Sequence, residues 1–250
     1  MALQEEMELQ GNWLFKHRSY LPLIFLAVGM VLYLQSELYP ASILEQAPYE
    51  FYYDMFALLI GLTGVYIRVI TVGYAQQNTS GRNTKQGQVA DTVNTTGMYS
   101  IVRHPLYVGN FLMWAAVALL TGNFWFIIAF ILLYWVYYER IMFAEEQYLR
   151  KKFGEEYLSW SDKVPAFIPA FHLYTKSNLS FNWKKVLKSE KNGLFALFLI
   201  FCVFNVSGEL IKGRTDYNYL FIVMCVLTGI FYIIIKYIKK RTTLLNESNG

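Results

Sequence analysis

Six long apolar runs constrain the fold of this chain more than any other feature. They occupy residues 20–35, 52–74, 106–120, 124–138, 193–211 and 219–237. A helix needs about 20 mostly apolar residues to cross a bilayer, and the flanks of the shorter runs can extend them. Only 16% of the residues are charged, against about 25% in soluble domains. The sequence therefore predicts an all-α, polytopic membrane bundle of about six transmembrane helices.

The positions of the positive charges predict how these helices are oriented. Cytoplasmic loops are enriched in Lys and Arg. If both termini are cytoplasmic, all 22 Lys and Arg residues except Lys212 and Arg214 fall on the cytoplasmic side. Acidic residues precede the first run, where a signal peptide would be basic, so we expect that run to remain as an anchor. We therefore expect a multi-pass protein of a bacterial inner membrane or an endoplasmic reticulum membrane, with both termini cytoplasmic.

This topology divides the chain into three regions. Residues 1–96 form an N-terminal two-span region that ends in a polar cytoplasmic loop, 75–96. Residues 97–170 form a central region with a helical hairpin, whose second helix continues as a cytoplasmic amphipathic helix. Residues 171–250 form a basic linker and a C-terminal two-span region.

The central candidate for function is the segment 97–109. Its polar and small residues are Gly97, Tyr99, Arg103, His104, Pro105, Tyr107 and Gly109. Pro105 suits the first turn of a helix, which places Arg103 and His104 at the positive end of a helix dipole. A carboxylate or phosphate could bind there, with Arg103 as a two-pronged donor. A single Arg at this depth could simply snorkel to the headgroups, but the combination favours a functional site.

Gly109 has two interpretations that its spacing does not separate. A small residue lets either a neighbouring helix or a flat ligand approach the backbone closely.

Two adjacent carboxylates, Glu145 and Glu146, lie on the helix that continues the fourth run. On a helical wheel Glu145 projects from an apolar face, whereas Glu146 lies to one side with Arg150 one turn ahead. A helix ion pair with Arg150 is the simple interpretation of Glu146. A carboxylate on an apolar face must be paired, and near a membrane it is a functional candidate. We expect its partner to be Arg103, His104 or the amino group of a cofactor.

Other side chains give weaker signals. His17, His172, Cys202 and Cys225 lack the spacing of metal ligands, so no metal is predicted. The basic cluster Lys184, Lys185, Lys188 and Lys191 is interpreted as a contact with anionic headgroups. A nucleic-acid partner is not predicted, since arginines are few and dispersed.

Two blocks of the sequence carry a resemblance to a known family. The first is Gly97-x-Tyr99-x-x-x-Arg103-His104-Pro105-x-Tyr107-x-Gly109. The second is Glu145-Glu146-x-x-Leu149, Phe153-Gly154-x-Glu156-Tyr157 and Val164-Pro165-x-x-Ile168-Pro169. Together they resemble the isoprenylcysteine carboxyl methyltransferase family and the similar phospholipid methyltransferases.

The resemblance implies a membrane methyltransferase that uses S-adenosyl-L-methionine. The cofactor would enter from the cytoplasm, and a lipid, prenylated or otherwise lipidated acceptor would arrive from the bilayer. It implies that Arg103 and His104 are catalytic, with Arg103 facing the acceptor anion. It also implies a set of cofactor-binding residues: Tyr99, His104, Tyr107, Gly109, Glu145 and Glu146.

The expected reaction is O-methylation of a carboxylate or a phosphate, because either oxygen is already nucleophilic. An amine acceptor would first need a base, for which a neutral His104 could serve. The sequence names neither the acceptor nor the acceptor atom. One alternative is an NADPH-dependent reductase like the sterol reductases, although Leu106 and Asn110 depart from their motif. The other alternative is a non-enzymatic membrane scaffold.

Overall fold

The computed structural model describes residues 2–18, 20–39, 49–76, 79 and 90–245. This part of the chain contains α-helices and short 3₁₀ turns but no β-strand, which confirms the all-α prediction for the described residues. Most of the predicted polar loop, residues 77, 78 and 80–89, lies outside them. The helices are α1 (Leu3–His17), α2 (Leu21–Leu38), α3 (Tyr49–Tyr74), α4 (Pro105–Leu120), α5 (Phe124–Phe153), α6 (Glu155–Ser161), α7 (Trp183–Ile211) and α8 (Tyr219–Arg241).

Four of these helices, α3, α5, α7 and α8, are long and apolar enough to cross a membrane. The pair formed by α1 and α2 passes the same test only as one element bent by 68°, and α4 is a shorter apolar helix. The six predicted spans coincide in position with α2 to α5, α7 and α8. Length and composition support four or five of them, so the count of six stays a prediction.

The two helices at the centre of the chain, α4 and α5, form the hairpin expected from the sequence. Pro105 occupies the first turn of α4. The connecting turn contains Gly122, whose φ of 61° lies in the left-handed region that favours glycine. The side chain of Asn123 then caps α5 by accepting from the Phe126 N–H at 2.9 Å. Since α5 is unbroken to Phe153, the fourth run and the helix that carries Glu145 are one element.

The backbones of α3 and α4 touch where Gly64 meets Gly109. A Cβ atom on Gly64 would lie 2.5 Å from the Gly109 carbonyl oxygen, and one on Gly109 would lie 2.5 Å from Arg68 Cγ. Neither glycine can therefore carry a side chain without separating the helices. Of the two interpretations of Gly109, the structure supports close helix packing, which also brings Arg68 against α4.

The C-terminal helices belong to the same bundle. α7 packs against α8 and also against α2, α3 and α4. Its residues Leu197, Phe198, Phe201 and Phe204 are almost fully buried there. By contrast, α8 exposes a row of apolar side chains that includes Val223, Ile230 and Ile233. Such a face suits contact with lipid chains.

Two features of the bundle differ from expectation. The helix α1 was not predicted, because its own sequence is mostly polar; it lies along α5, with Gly11 against the Arg140 carbonyl and Ala144. The interpretation of Lys185 as a headgroup contact is wrong. Its buried ammonium donates to the carbonyls of Ala75 and Gln76 at 2.8 Å each, and so satisfies backbone acceptors at the end of α3.

Candidate active site

The segment that precedes α4 is held in place by the chain that follows α6. The N–H of Arg103 donates to the Pro165 carbonyl at 2.9 Å, and the N–H of His104 donates to the Ala166 carbonyl at 3.2 Å. These bonds fix the backbone from which both side chains project. They also give a physical reason why the Val164-Pro165 block accompanies the Arg-His-Pro block in the sequence.

Four charged side chains, which we call the motif cluster, meet where α4 begins beside α5. His104 Nε2 lies 2.8 Å from Glu146 Oε1, and Arg103 Nη1 donates to Glu146 Oε2 at 3.1 Å. His104 Nδ1 lies 3.6 Å from Glu145 Oε2. The structure thus brings together Arg103, His104, Glu145 and Glu146. Glu146 thus pairs with residues at the start of α4. This contact, rather than a helix ion pair with Arg150, explains its position.

The imidazole of His104 is buried between the two carboxylates. Burial alone would lower its pKa, but the hydrogen bonds and negative charge of Glu145 and Glu146 outweigh that effect, so the pKa lies above its ordinary value. The two carboxylates therefore stabilise the protonated imidazolium, in which both nitrogens are donors. The use of a neutral His104 as the base for an amine acceptor stays a prediction.

An aromatic layer lies directly behind the motif cluster. The ring of Tyr107 stacks on His104, with centroids 5.6 Å apart, and lies 4.8 Å from the ring of Tyr138. The hydroxyl of Tyr134 donates to the Tyr107 carbonyl at 2.7 Å. Burial and the nearby charge of Glu145 raise the pKa of Tyr99, which keeps its hydroxyl protonated. These contacts leave the cluster little freedom to move.

A cavity of about 520 Å³ opens beside the motif cluster. This volume lies within the range of about 300–1,000 Å³ that is typical of small-molecule and cofactor sites. The predicted site residues that line it are Tyr99, Arg103, His104, Tyr107 and Glu145. Two others lie elsewhere: Glu146 stands behind Arg103 and His104, and Gly109 faces α3. Direct contact of Gly109 with a cofactor therefore does not fit its position.

Two buried donors at the cavity wall have no acceptor among the described residues. They are the Nε–H of Arg103 and the Nε1–H of Trp160, a residue of α6. Buried polar groups are almost always hydrogen-bonded in native proteins. Both residues line the cavity, so both donors are candidates for contact with a bound ligand.

Three residues of the cavity wall were missed as site residues by the sequence analysis. Arg68 of α3 donates to Glu190 through Nε at 2.7 Å and through Nη2 at 3.0 Å, and its Nη1 donates to Asn110 at 2.7 Å. All three side chains line the cavity. An arginine inside an apolar run is a functional candidate by default, so Arg68 could have been found from its own position. Its partner Glu190 is 122 residues away and could not.

Comparison with known proteins finds a family that this chain resembles. The family model described as phospholipid methyltransferase matches residues 53–156, which include most of α3 and all of α4 and α5. No solved structure matches the chain at a comparable level of significance.

Individual relatives agree with the family match. A protein-S-isoprenylcysteine O-methyltransferase of Schizosaccharomyces pombe is 33% identical over 117 residues, 47% of this chain and 50% of the relative. Protein-S-isoprenylcysteine O-methyltransferase B of Arabidopsis thaliana is 39% identical over 76 residues, 30% of this chain and 38% of the relative. The cobalt-zinc-cadmium resistance protein CzcN of Cupriavidus metallidurans is 28% identical over 117 residues, 47% of this chain and 51% of the relative.

The matched part spans about half, or less, of the length of these relatives. The resemblance to the superfamily of isoprenylcysteine and phospholipid methyltransferases, predicted from the two sequence blocks, is confirmed.

Proposed function

We propose that this protein is an S-adenosylmethionine-dependent methyltransferase that acts on a lipid or lipidated acceptor at the cytoplasmic face of a membrane. It transfers a methyl group to an oxygen of a carboxylate or phosphate. The observation that carries the proposal is the meeting of Arg103, His104 and Glu145 at a cavity of cofactor size. Two of the three relatives named above are isoprenylcysteine O-methyltransferases, and their names agree with this reaction class.

The residues at the cavity fit the cofactor chemically. The carboxylate of Glu145, 14% exposed, suits the ammonium group of the cofactor. The buried Nε1–H of Trp160 and Nε–H of Arg103 suit its carboxylate or ribose oxygens. Tyr99, Tyr107 and Tyr138 line the same space, and aromatic rings favour a nearby cation. Glu146 positions Arg103 and His104 without reaching the cavity.

Bound S-adenosylmethionine supplies an already activated methyl group, so the protein need not form a covalent intermediate. The side chains of this chain orient the reactants and exclude water. Arg103 presents a planar donor pair held by Glu146 and can align an acceptor oxyanion. His104 lies between two carboxylates that raise its pKa, which favours the form in which both ring nitrogens donate. A base-free O-methylation fits this set better than methylation of an amine.

Cofactor binding by the purified full-length protein tests the proposal. We expect calorimetry to detect S-adenosylhomocysteine and not NADPH. Binding of NADPH alone would support the reductase alternative, and binding of neither would support the scaffold. Incubating membranes with methyl-labelled cofactor, with and without the protein, and identifying the labelled product would then name the acceptor.

The arrangement in the membrane belongs to the same proposal. We infer a multi-pass protein with both termini cytoplasmic and three regions, 1–96, 97–170 and 171–250. The second region supplies the motif cluster, while the first and third supply Arg68 and Glu190. Labelling of single cysteines placed at each end of the chain, from either side of sealed vesicles, would test the orientation.

A further inference from the structure

The cavity extends well away from the motif cluster, along one face of α4. The residues Leu106, Asn110 and Trp114 line it at intervals of four. Such spacing places side chains on the same helix face, and at 1.5 Å per residue the row is about 12 Å long. Two of the three side chains are apolar. The cavity therefore has a polar end at His104 and a long wall that runs into the apolar part of the bundle.

One polar group, the guanidinium of Arg68, interrupts this wall. It lies beside Asn110, one helical turn beyond Leu106, and its side chain is 21% exposed. A guanidinium has five N–H donors. Glu190 and Asn110 accept three of them, and no acceptor for the other two, one on each Nη nitrogen, is found among the described residues. Guanidinium N–H groups are suited to the oxygens of a carboxylate or phosphate.

Stability alone does not account for an ion pair at this position. The side chain of Glu190 is only 6% exposed, and the cost of desolvating a buried pair commonly cancels its attraction. Glu190 does hold the guanidinium plane in one orientation through its two contacts. Among the described residues, the formally charged side chains that line the cavity are three arginines, including Arg18, and two glutamates, so their sum is +1. An anion is therefore the ligand that the wall favours.

We propose that Arg68 and Asn110 form an acceptor-binding subsite, which together with Arg103 takes the anionic head of an amphipathic molecule whose chain lies along the Leu106 and Trp114 face. Glu190 is the positioning residue for Arg68. This inference rests on the proposed function, because it names the part of the same cavity that the acceptor uses. It also gives α7, which lies beyond the region matched by the family model, a direct part in acceptor specificity.

Binding of simple amphiphiles to the full-length protein in an uncharged detergent tests the subsite apart from catalysis. The probes are laurate, dodecyl phosphate and dodecanol, measured by calorimetry, with S-adenosylhomocysteine measured in parallel. We expect at least one anionic probe to bind tenfold or more tightly than dodecanol. The preferred anion identifies the head group as carboxylate or phosphate. Equal affinity for all three probes would overturn the proposal, whatever the cofactor result.

The decisive variant is Arg68→Gln. It should weaken the anionic probe at least tenfold and leave the affinity for S-adenosylhomocysteine within about twofold. The matched control is Arg140→Gln, which removes a positive charge from α5 outside the cavity and should change neither affinity. Unaltered anion binding in Arg68→Gln, or a parallel loss of S-adenosylhomocysteine, would refute the subsite.

A second variant covers the case in which Arg68→Gln does not fold. Asn110→Asp keeps the shape of the side chain and its contact with Arg68, but adds a negative charge to the cavity wall. It should weaken laurate or dodecyl phosphate at least tenfold and leave dodecanol unchanged. Equal loss of dodecanol would mean a general disturbance of the cavity and would count against the proposal.

Discussion

Two groups of charged side chains lie at opposite ends of the same helices, α3 and α7. One is the Lys212 cluster, in which the ammonium of Lys212 lies 2.6 Å from Glu37, 2.8 Å from Glu209 and 3.6 Å from Glu50. The other end holds Arg68 and its partner Glu190. Along α3, Glu50 and Arg68 are about 27 Å apart at 1.5 Å per residue.

The two ends use similar chemistry for different purposes. Both join helices that are distant in sequence through buried ion pairs. None of the four side chains of the Lys212 cluster lines the candidate active-site cavity, whereas Arg68, Glu190, Arg103 and Glu145 do. If these residues bind ligands as proposed, burial of charge does not by itself mark a site, and access to a cavity separates a binding group from a structural one.

The largest expected effect on stability is at the Lys212 cluster. Lys212→Gln leaves Glu37 and Glu209 without their cation, and breaking a buried pair in this way costs about 3–5 kcal/mol. We expect a lower midpoint of thermal unfolding and an unchanged affinity for S-adenosylhomocysteine. The control is Lys151→Gln, which removes an exposed pair with Glu8 and should cost less than about 1 kcal/mol. If Lys212→Gln abolished cofactor binding in folded protein, the distinction between the two ends would fail.

For Glu145→Gln we expect the reverse, a loss of cofactor affinity with little loss of stability. The substitution removes a charge-assisted contact worth about 1.5–3 kcal/mol, so the affinity for S-adenosylhomocysteine should fall about 10- to 100-fold. The unfolding midpoint should change little. Glu139→Gln, at an exposed site on the same helix, serves as the control. Unchanged affinity in Glu145→Gln would remove this residue from the site.

A smaller and more selective effect is expected for Arg103→Lys. Lysine keeps the charge but loses the planar fork that Glu146 orients. We expect turnover of methyl-labelled cofactor with membranes to fall about tenfold, roughly 1.4 kcal/mol in the barrier, while the affinity for S-adenosylhomocysteine stays within about threefold. Wild-type turnover in this variant would mean that Arg103 serves only as an interfacial anchor.

The smallest effect is the pH dependence due to His104. Its folded pKa is raised, so its contribution to stability is fully present below the ordinary histidine pKa of about 6.5. That contribution is lost as the pH rises through the higher folded pKa. We expect the difference in unfolding midpoint between wild type and His104→Gln to shrink towards alkaline pH. A difference that stayed constant with pH would mean that folding does not raise the pKa of His104.

Local patterns in the sequence predicted much of the fold and part of the site. Apolar runs placed the main helices, and Pro105 placed the start of α4. The helical wheel put Glu145 on the face that meets His104. Each of these follows from residues close together in the chain.

The features of the site that the sequence did not predict depend on packing between distant segments. The pairing of Arg68 with Glu190 requires α7 to lie beside α3. The raised pKa of His104 requires both carboxylates on one imidazole. Gly109 packs against α3 rather than facing the cavity because α3 and α4 approach each other at Gly64 and Gly109.

The backbone bonds from Arg103 and His104 to Pro165 and Ala166 also set the order in which the protein can mature. During translation, the α4–α5 hairpin is synthesised before Pro165 and Ala166, the residues that hold the Arg-His-Pro motif in position. A nascent chain that ends at residue 156 would contain the whole region matched by the family model and still lack that support. We therefore expect cofactor retention to begin only in nascent chains that extend beyond Ala166, so that the unfinished protein remains catalytically silent.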